Sequence, residues 1–464
     1  MTKNDEYVVD IIDYGMDGEG IAKIDNIIVF VQGALKNERC KIHITKVLKN
    51  YAYAKVNEII KPSSKRAKID CKTYPRCGGC LLRHISYDET LKIKKIRVQN
   101  LANKMLKNVD TIKVEDAIGM DTPLFYRNKA IYPINKNGKA GIYAKRSHEV
   151  IPFEECKIQT KVSQDIAKYI MQNWKDTIYD ESTQKGLLRN IMVREGFETN
   201  EIMVVLVQNG DRNIINKAES MSICNDVCKT ELKSINIEEL LEKFPKIKTV
   251  VVNVNTKDTN VILSKKNIII YGKGYITDEL CGFKFNISAN SFYQVNPMQT
   301  EKLYNLAIEK ARLTNDDILC DLYCGIGTIG IIASKKVKKV YGIEIVKEAI
   351  EDAKENARIN NIDNIEFING DVESAFEQLL KNKINPNAVI VDPPRKGLDE
   401  KTIVNICKLK LKKFVYISCN PATLMRDLQK LQATYNICTI TPVDNFCYSS
   451  HIECITVMTL KNGF

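Results

Sequence analysis

The chain has 464 residues, more than one ordinary hydrophobic core holds, so we expect two or three domains. A hydrophobic fraction of 44% and a charged fraction of 27% exclude a disordered chain. No apolar run approaches the ~18 residues of a membrane span, and the first residues lack the apolar region of a signal peptide. We therefore expect a cytoplasmic protein with no membrane partner. The net charge of +12 favours a polyanionic partner.

The first third of the chain combines short strands with a basic segment. Repeated short apolar strands and turns over residues 6–60 predict a small β-barrel. A helix is predicted over 88–107, where Leu91, Val98 and Leu101 recur at helical spacing with lysines opposite. From residue 60 to residue 107, 13 Lys/Arg stand against 3 Asp/Glu, which predicts contacts with phosphates.

From about residue 290 apolar strands alternate with helical segments, the pattern of a doubly wound α/β domain. Gly325, Gly327 and Gly330 follow a strand and open a helix, so the backbone there can approach a nucleotide closely. The next strand ends at Glu344, 19 residues past Gly325, where a carboxylate can bind ribose hydroxyls. This glycine motif alone does not separate a dinucleotide enzyme from a methyltransferase.

Two acidic positions favour a methyltransferase. Asp321, four residues before the first glycine, is typical of S-adenosylmethionine sites. Asp392-Pro-Pro-Arg395 ends a later strand in a stiff turn beside the expected substrate. Amino-group methyltransferases carry an aromatic residue after the prolines, where this chain has Arg395. Methylation of an amino nitrogen is therefore the second choice.

Cys419 is the candidate nucleophile. It follows the strand FVYIS, and Asn420 and Pro421 suit the N-cap and the first position of a helix. The dipole of that helix should favour the thiolate. Uracil C5 is too weak a nucleophile to accept a methyl group directly, and thiolate addition to C6 would activate it. A base must then remove the C5 proton.

Glu453 is the candidate base, near the start of the strand IECITVMTL. His451, expected on the same face of that strand, is the rival.

A second cysteine group lies in the basic segment. Cys71, Cys77 and Cys80 share one loop, and their spacing suits zinc or an iron–sulfur cluster, each of which takes four thiolates. No fourth ligand is local. In a chain of 15 cysteines without an export signal, such a group favours metal binding over disulfides.

The segments DLYCGIG, DPPR, SCNPATLMRDL and HIE together resemble the RNA 5-methyluridine (uracil-C5) methyltransferases. DYGMDGEGIAK resembles the TRAM domain, a small RNA-binding barrel with an OB-like fold, and FYRNKA and FYQVN also match the family. The resemblance implies three parts. They are a TRAM barrel at 1–60, a mixed α+β central RNA-binding domain at 61–285 that carries the cysteines, and a Rossmann-like methyltransferase domain at 286–464. On this division, we expect the predicted helix at 88–107 to pack on the catalytic domain.

The resemblance also implies roles for single residues. Cys419 matches the nucleophile, Glu453 the proton acceptor, and Arg127 an arginine that faces RNA. Cys156 matches the fourth ligand of a [4Fe–4S] cluster in the iron–sulfur branch, closest to the 23S ribosomal RNA enzymes. The positions that match contacts to S-adenosyl-L-methionine are Gln294, Tyr323, Glu344 and Asp392.

The expected enzyme is thus a monomer that methylates C5 of a uridine in structured RNA. Ribosomal RNA is favoured as the substrate over transfer RNA. Two other classes stay open at this point. A NAD-dependent or iron–sulfur oxidoreductase would leave DPPR and SCNP unexplained, and a pure RNA-binding module would need neither Glu344 nor Cys419.

Overall fold

A computed structural model describes residues 1–108, 112–216 and 230–461. The predicted central domain includes 109–111 and 217–229, which lie outside the described residues, and the division of the chain at residues 60 and 285 stays a prediction. No helix within the described ranges is long and apolar enough to cross a membrane.

The N-terminal strands form one six-stranded sheet in the order β1-β5-β6-β4-β3-β2. Its inner face is closed by small and branched side chains, among them Val29, Val31, Ala52 and Ala54, so the strands curl tightly around a narrow core. A helix and a two-residue strand follow this barrel. The elements are β1 (Glu6–Asp10), β2 (Asp13–Tyr14), β3 (Gly20–Ile24), β4 (Ile27–Gln32), β5 (Arg39–Val47), β6 (Tyr51–Lys61), α1 (Tyr87–Met105) and β7 (Lys113–Val114).

The middle of the chain is built on a five-stranded sheet in the order β16-β15-β12-β11-β8. Every residue of β12 is buried, because the sheet is covered on both faces. The elements are β8 (Lys129–Pro133), β9 (Gly141–Tyr143), β10 (Val150–Pro152), α2 (Lys161–Asn173), β11 (Leu188–Glu195), β12 (Ile202–Gln208), β13 (Ile214–Asn216), β14 (Thr230–Leu232), α3 (Ile237–Lys243), β15 (Ile247–Val254) and β16 (Asn267–Gly272). A hairpin, β17 (Tyr275–Leu280) and β18 (Phe283–Ser288), leads to the last sheet.

The last sheet has eight strands in the order β21-β20-β19-β22-β23-β25-β24-β7. The five strands from β21 to β23 are parallel and β25 is antiparallel to β23, the mixed Rossmann-like arrangement that the sequence predicts. The elements are α4 (Pro297–Lys310), β19 (Ile318–Leu322), α5 (Thr328–Ala333), β20 (Lys339–Glu344), α6 (Lys347–Ile359), β21 (Ile365–Asn369), α7 (Val372–Lys381), β22 (Ala388–Val391), α8 (Glu400–Leu409), β23 (Lys413–Ser418), α9 (Pro421–Leu431), β24 (Tyr435–Val443) and β25 (Glu453–Leu460).

Helix α1 and strand β7 belong to this last sheet, although they precede the central sheet in the chain. Strand β7 is the edge strand and pairs in parallel with β24, and Val98 of α1 packs in one core with Leu428 of α9. Lys94 lies on the same buried face of α1. The prediction that the lysines all lie opposite the apolar face is therefore wrong at Lys94.

Much of the basic segment is occupied by ion pairs. Arg83 and Lys94 are almost fully buried, so neither is free to bind a phosphate. With partners in the described part of the chain, eight of the 13 basic residues form salt bridges: Lys65, Arg66, Lys72, Arg76, Arg83, Lys92, Lys94 and Lys95. The count of charges thus overstates the positive surface of this segment.

Candidate active site

The predicted site residues of the last domain meet at one edge of its sheet. Strands β19, β20, β22 and β23 run in parallel, so their carboxyl ends lie side by side. Tyr323, Asp392 and Cys419 each stand one residue beyond a strand end, and Glu344 is the last residue of β20. The order of the strands reverses between β19 and β22, which is where ligands bind in open α/β sheets.

The glycine loop is held by hydrogen bonds from its amides to side chains outside the loop. One oxygen of Glu344 accepts a hydrogen bond of 3.2 Å from the Gly325 amide, and the other accepts one of 2.9 Å from Val346. Gly327 has φ +83° and is the N-cap of α5. Since glycine offers no capping side chain, Asp321 of β19 caps the helix instead and accepts a 2.8 Å bond from the Gly330 amide.

Asp321 is completely buried, and its Oδ1 atom has no hydrogen-bond partner among the described residues. Burial raises the pKa of Asp321 to about 8, and the charges of Asp392 and Glu344 add to the shift. Asp321 therefore holds the glycine loop by capping α5. Its Oδ1 atom, without a partner among the described residues, lies near the carboxyl edge of the sheet.

Buried Gln294 and half-buried Asp392 form a polar pair at the same edge of the sheet. The Gln294 side chain hydrogen-bonds to Asp392 and lowers its pKa, but burial outweighs this and raises the pKa to about 7. The Asn128 side chain donates a 3.1 Å bond to the Gln294 carbonyl, so the segment FYRNKA holds FYQVN in place. Tyr323, at φ +64°, is half-buried against the core near Thr402.

Cys419 lies between β23 and α9 as predicted. Asn420 caps α9 through a 3.1 Å bond from the Ala422 amide, and Pro421 stands at the first helical position. Burial nevertheless raises the pKa of Cys419 to about 11, with further increases from Glu453 and Asp392, while Arg395 lowers it. Burial, together with these two carboxyls, thus opposes the stabilisation of the thiolate by the helix terminus, and that expectation stays a prediction.

Glu453 is the first residue of β25 and is 1% exposed. Antiparallel pairing of β23 with β25 places Ser418 opposite Cys454, so Cys419 and Glu453 stand at adjacent strand ends. The Glu453 Oε2 atom has no partner among the described residues. Burial and the charge of Asp392 raise the pKa of Glu453 well above its ordinary value, and Arg395 opposes them.

His451 precedes β25 and is exposed. The prediction that it shares a strand face with Glu453 is therefore wrong. Its ring contacts Phe446 edge-on, with 6.0 Å between centroids. The geometry gives Glu453 the buried position beside the thiol.

Sequence reasoning missed the support of loop 444–452, which leads into Glu453. The Tyr448 carbonyl accepts hydrogen bonds of 2.8 and 2.9 Å from the amides of Leu81 and Leu82, next to Cys80. Arg97 donates a 2.6 Å bond to the Ser450 carbonyl. These contacts join residues more than 350 positions apart, and no local pattern indicates them.

The four predicted cysteine ligands lie within electrostatic range of one another, though not in a metal-binding arrangement. Cys77, Cys80 and Cys156 are each buried enough to raise their pKa, and each of these pKa values is raised further by other thiols of the set, Cys71 included. The Gly79 amide donates a 3.2 Å bond to the Cys77 sulfur. Among the described residues no group of three or more such side chains is arranged closely enough to hold a metal ion.

Two arginines face these thiols. The charges of Arg83 and Arg127 lower the pKa of Cys80, and Arg83 Nη1 and Arg127 Nε are buried without hydrogen-bond partners among the described residues. Arg127 thus lies beside the cysteines, and the expectation that it faces RNA is not supported. Four thiols beside two arginines, each with one buried nitrogen that lacks a hydrogen-bond partner among the described residues, suit a bound anionic group.

Fold and site together define a Rossmann-like methyltransferase preceded by a small β-barrel. The family model described as tRNA (Uracil-5-)-methyltransferase matches residues 233–461, and the TRAM domain model matches residues 2–56. An uncharacterized RNA methyltransferase of Clostridium tetani is 43% identical, over 98% of this chain and 97% of its own length. One of Staphylococcus aureus is 40% identical over 99% of both chains.

The chain therefore belongs to the S-adenosylmethionine-dependent RNA uracil-5-methyltransferases. Its fold matches the crystal structure of a Pyrococcus abyssi tRNA (uracil-54, C5)-methyltransferase in complex with S-adenosyl-L-homocysteine. The TM-score is 0.72 over 98% of this chain and all of that one, at 23% identity.

Proposed function

We propose that the enzyme methylates C5 of a specific uridine through a covalent bond between Cys419 and C6 of the base. The observation that carries this proposal is the register of β23 and β25, which puts a thiol and a buried carboxyl at adjacent strand ends. Membership of the family supplies the substrate class, and the register supplies the pair of groups that the chemistry needs.

The bonds change in three steps. The Cys419 thiolate adds to C6, and the electron pair of the C5–C6 double bond moves toward C5 and O4. C5 then forms a bond to the methyl group, and the donor leaves as the neutral thioether. Glu453 removes the remaining C5 proton, the C5–C6 double bond returns, and the C6–sulfur bond breaks to free Cys419.

S-adenosylmethionine supplies the methyl group on a sulfonium cation, and that positive charge suits a site rich in buried carboxyls. Negative charge on Asp392 and Glu453 raises the pKa of Cys419, so a nearby cation would lower the pKa values of all three groups. We assign Gln294, Tyr323, Glu344 and Asp392 to binding this donor. The partnerless oxygen of Asp321 fits a ligand at the same edge.

We propose ribosomal RNA as the substrate, with transfer RNA as the second candidate. The name of the Pyrococcus abyssi enzyme favours transfer RNA, and the cysteine set favours the ribosomal branch. In either RNA the target base must leave its stack to reach Cys419, so an unpaired uridine is the expected target.

We further propose that Cys71, Cys77, Cys80 and Cys156 hold a [4Fe–4S] cluster. A cluster with four thiolate ligands is anionic, and Arg83 and Arg127 would offset that charge. Uracil methylation needs no electron transfer, so we assign the cluster a structural role next to loop 444–452.

The test is covalent trapping. Transcripts of ribosomal and transfer RNA containing 5-fluorouridine are incubated with radiolabelled S-adenosylmethionine and the full chain. Fluorine cannot leave as a cation, so a methylated adduct that survives denaturation should accumulate with the true substrate. Cys419→Ala should form none. Methyl transfer without any adduct, or onto an amino nitrogen, would overturn the mechanism.

A further inference from the structure

The outer face of the N-terminal barrel carries three aromatic rings in mutual contact. Strand β4 pairs in parallel with β6, which sets Ile28 beside Tyr51 and Phe30 beside Tyr53. The centroid of Phe30 lies 5.7 Å from each tyrosine ring, and the tyrosine centroids lie 5.6 Å apart. Side chains between these residues point inward into the barrel core.

This aromatic face is open to solvent. Tyr51 is 37% exposed, Tyr53 39% and Ile28 44%. Outward positions of a small barrel are ordinarily polar. Cross-strand aromatic pairs do stabilise a sheet, but that purpose is served without a third ring and an exposed isoleucine beside it. The face therefore suits a flat, partly apolar ligand.

The same two strands lead from the aromatic face into a cavity. Gln32 and Lys55, the next outward pair after Phe30 and Tyr53, line a cavity of about 610 Å³ between the barrel and the cysteine loop. The basic residues that line it are Lys55, Arg66, Arg76, Lys145 and Arg146, against the acidic Asp17 and Glu19.

Three of these cations are available to a ligand. Arg66 and Arg76 are paired with Glu38 and Glu149. Within the described ranges, Lys55, Lys145 and Arg146 form no salt bridge. Lys55 follows Tyr53 on the same outward face of β6, so one of these cations lies beside the rings. Aromatic rings beside unpaired cations are the combination that binds single-stranded nucleic acid.

The cavity also borders the support of loop 444–452. Leu81 lines it and donates its amide to the Tyr448 carbonyl of that loop at 2.8 Å. A strand that occupied the cavity would therefore lie beside the residues that hold the loop leading into Glu453.

We propose that unpaired nucleotides flanking the target uridine bind here, with bases stacked on Phe30, Tyr51 and Tyr53 and phosphates at Lys55, Lys145 and Arg146. The proposal rests on the proposed function, since it names the part of the RNA substrate that this surface takes. A-form duplex RNA does not offer its base faces to aromatic rings, so single strands should be preferred.

The test uses the full chain and a fluorescein-labelled mixed-sequence RNA of about 12 nucleotides, within the span that one small barrel covers. Tyr51→Ser with Tyr53→Ser should weaken binding about tenfold or more, because losing one base stack costs roughly 5- to 150-fold in affinity. Tyr51→Phe with Tyr53→Phe should bind like wild type. Duplex RNA of the same sequence should be bound equally by all three proteins.

Charge is tested separately. Changing Lys55, Lys145 and Arg146 to alanine should reduce the slope of log affinity against log salt by about 2, since each phosphate contact to a single strand contributes about 0.7. A 4-thiouridine probe should crosslink to the peptide that contains Tyr51 and Tyr53. Wild-type affinity in the serine variant, or crosslinks only elsewhere, overturns the proposal.

The two proposals fail differently. If wild type forms no adduct with 5-fluorouridine RNA but single-strand binding still depends on the tyrosines, the covalent mechanism is wrong and the stacking surface stands. If the adduct forms and the serine variant binds the probe like wild type, the stacking surface is wrong and the mechanism stands.

Discussion

Lys94 donates a hydrogen bond of 2.5 Å to Asp444, and the two side chains are 1% and 0% exposed. The ammonium also donates a 3.1 Å bond to the Phe446 carbonyl, and the Tyr87 hydroxyl donates a 2.9 Å bond to the other oxygen of Asp444. Among the described residues, the charge of Asp444 is thus satisfied by Lys94 and Tyr87, both in α1. Helix α1 fixes the start of loop 444–452, which ends at the proposed base.

Removing this lysine should therefore destabilise the catalytic domain. We expect Lys94→Met to lower the free energy of unfolding by about 3–5 kcal/mol, because it leaves a buried carboxylate without its cation. Lys95→Met, which breaks the exposed pair with Asp116, should cost about 1 kcal/mol or less. Denaturant unfolding measures both.

Adding Asp444→Asn to Lys94→Met should restore most of the lost stability, since it removes the buried charge and keeps an acceptor for Tyr87. Equal destabilisation of the single and double variants would contradict the role assigned to the pair.

Glu453→Gln should separate the two halves of the reaction. Addition and methyl transfer need no base at C5, so a methylated adduct with ordinary uridine RNA should accumulate and resist denaturation. The exposed His451 provides the matched control: His451→Ala should turn over without accumulating adduct. Gel analysis of labelled RNA after denaturation gives the readout. The reverse pattern would make His451 the base.

We expect Arg395 to lower the pKa of Cys419, against the opposite effect of the neighbouring carboxyls Glu453 and Asp392. Because Arg395 lowers the pKa of this thiol, Arg395→Ala should move the alkylation profile to higher pH. Below the pKa, the rate follows the thiolate fraction, so alkylation at a fixed pH should slow by about threefold or more. Peptide mass spectrometry after iodoacetamide treatment, without RNA, follows Cys419 among the other cysteines.

The control for this experiment is Lys396→Ala, the exposed neighbour in the same turn. A profile that moves equally in both variants, or in neither, would show that Arg395 does not act on the thiol.

Protein purified without oxygen should contain iron and sulfide and be brown. Cys77→Ala should lose the iron, because Cys77 has the other thiols around it and an amide bond to its sulfur. Cys438→Ala, in the catalytic sheet, should keep it. Stoichiometric zinc without iron in the wild type would refute the cluster assignment. Iron and sulfide analysis needs no activity assay.

Sequence patterns predicted those parts of the site that depend on residues close together in the chain. The capping of α9 by Asn420 follows from local rules, as does the position of Glu344 at the end of β20. The ionisation of Cys419 does not, because it depends on carboxyls that arrive from two other strands. The burial of Lys94 was missed for the same reason: its partner is 350 residues away. Arg127 was predicted to face RNA because of its motif. Its position near Cys80 is visible only in the three-dimensional structure.

The attachment of α1 and β7 to the last sheet bears on how this protein can be divided. An expressed fragment that begins near residue 286 would contain every residue assigned to the reaction. It would nevertheless lack the partner of Asp444, the strand beside β24 and the amides that hold Tyr448. Truncation to the family's catalytic segment should therefore give an unstable product, and grafting that segment onto another RNA-binding domain should fail unless residues 81–118 are carried with it.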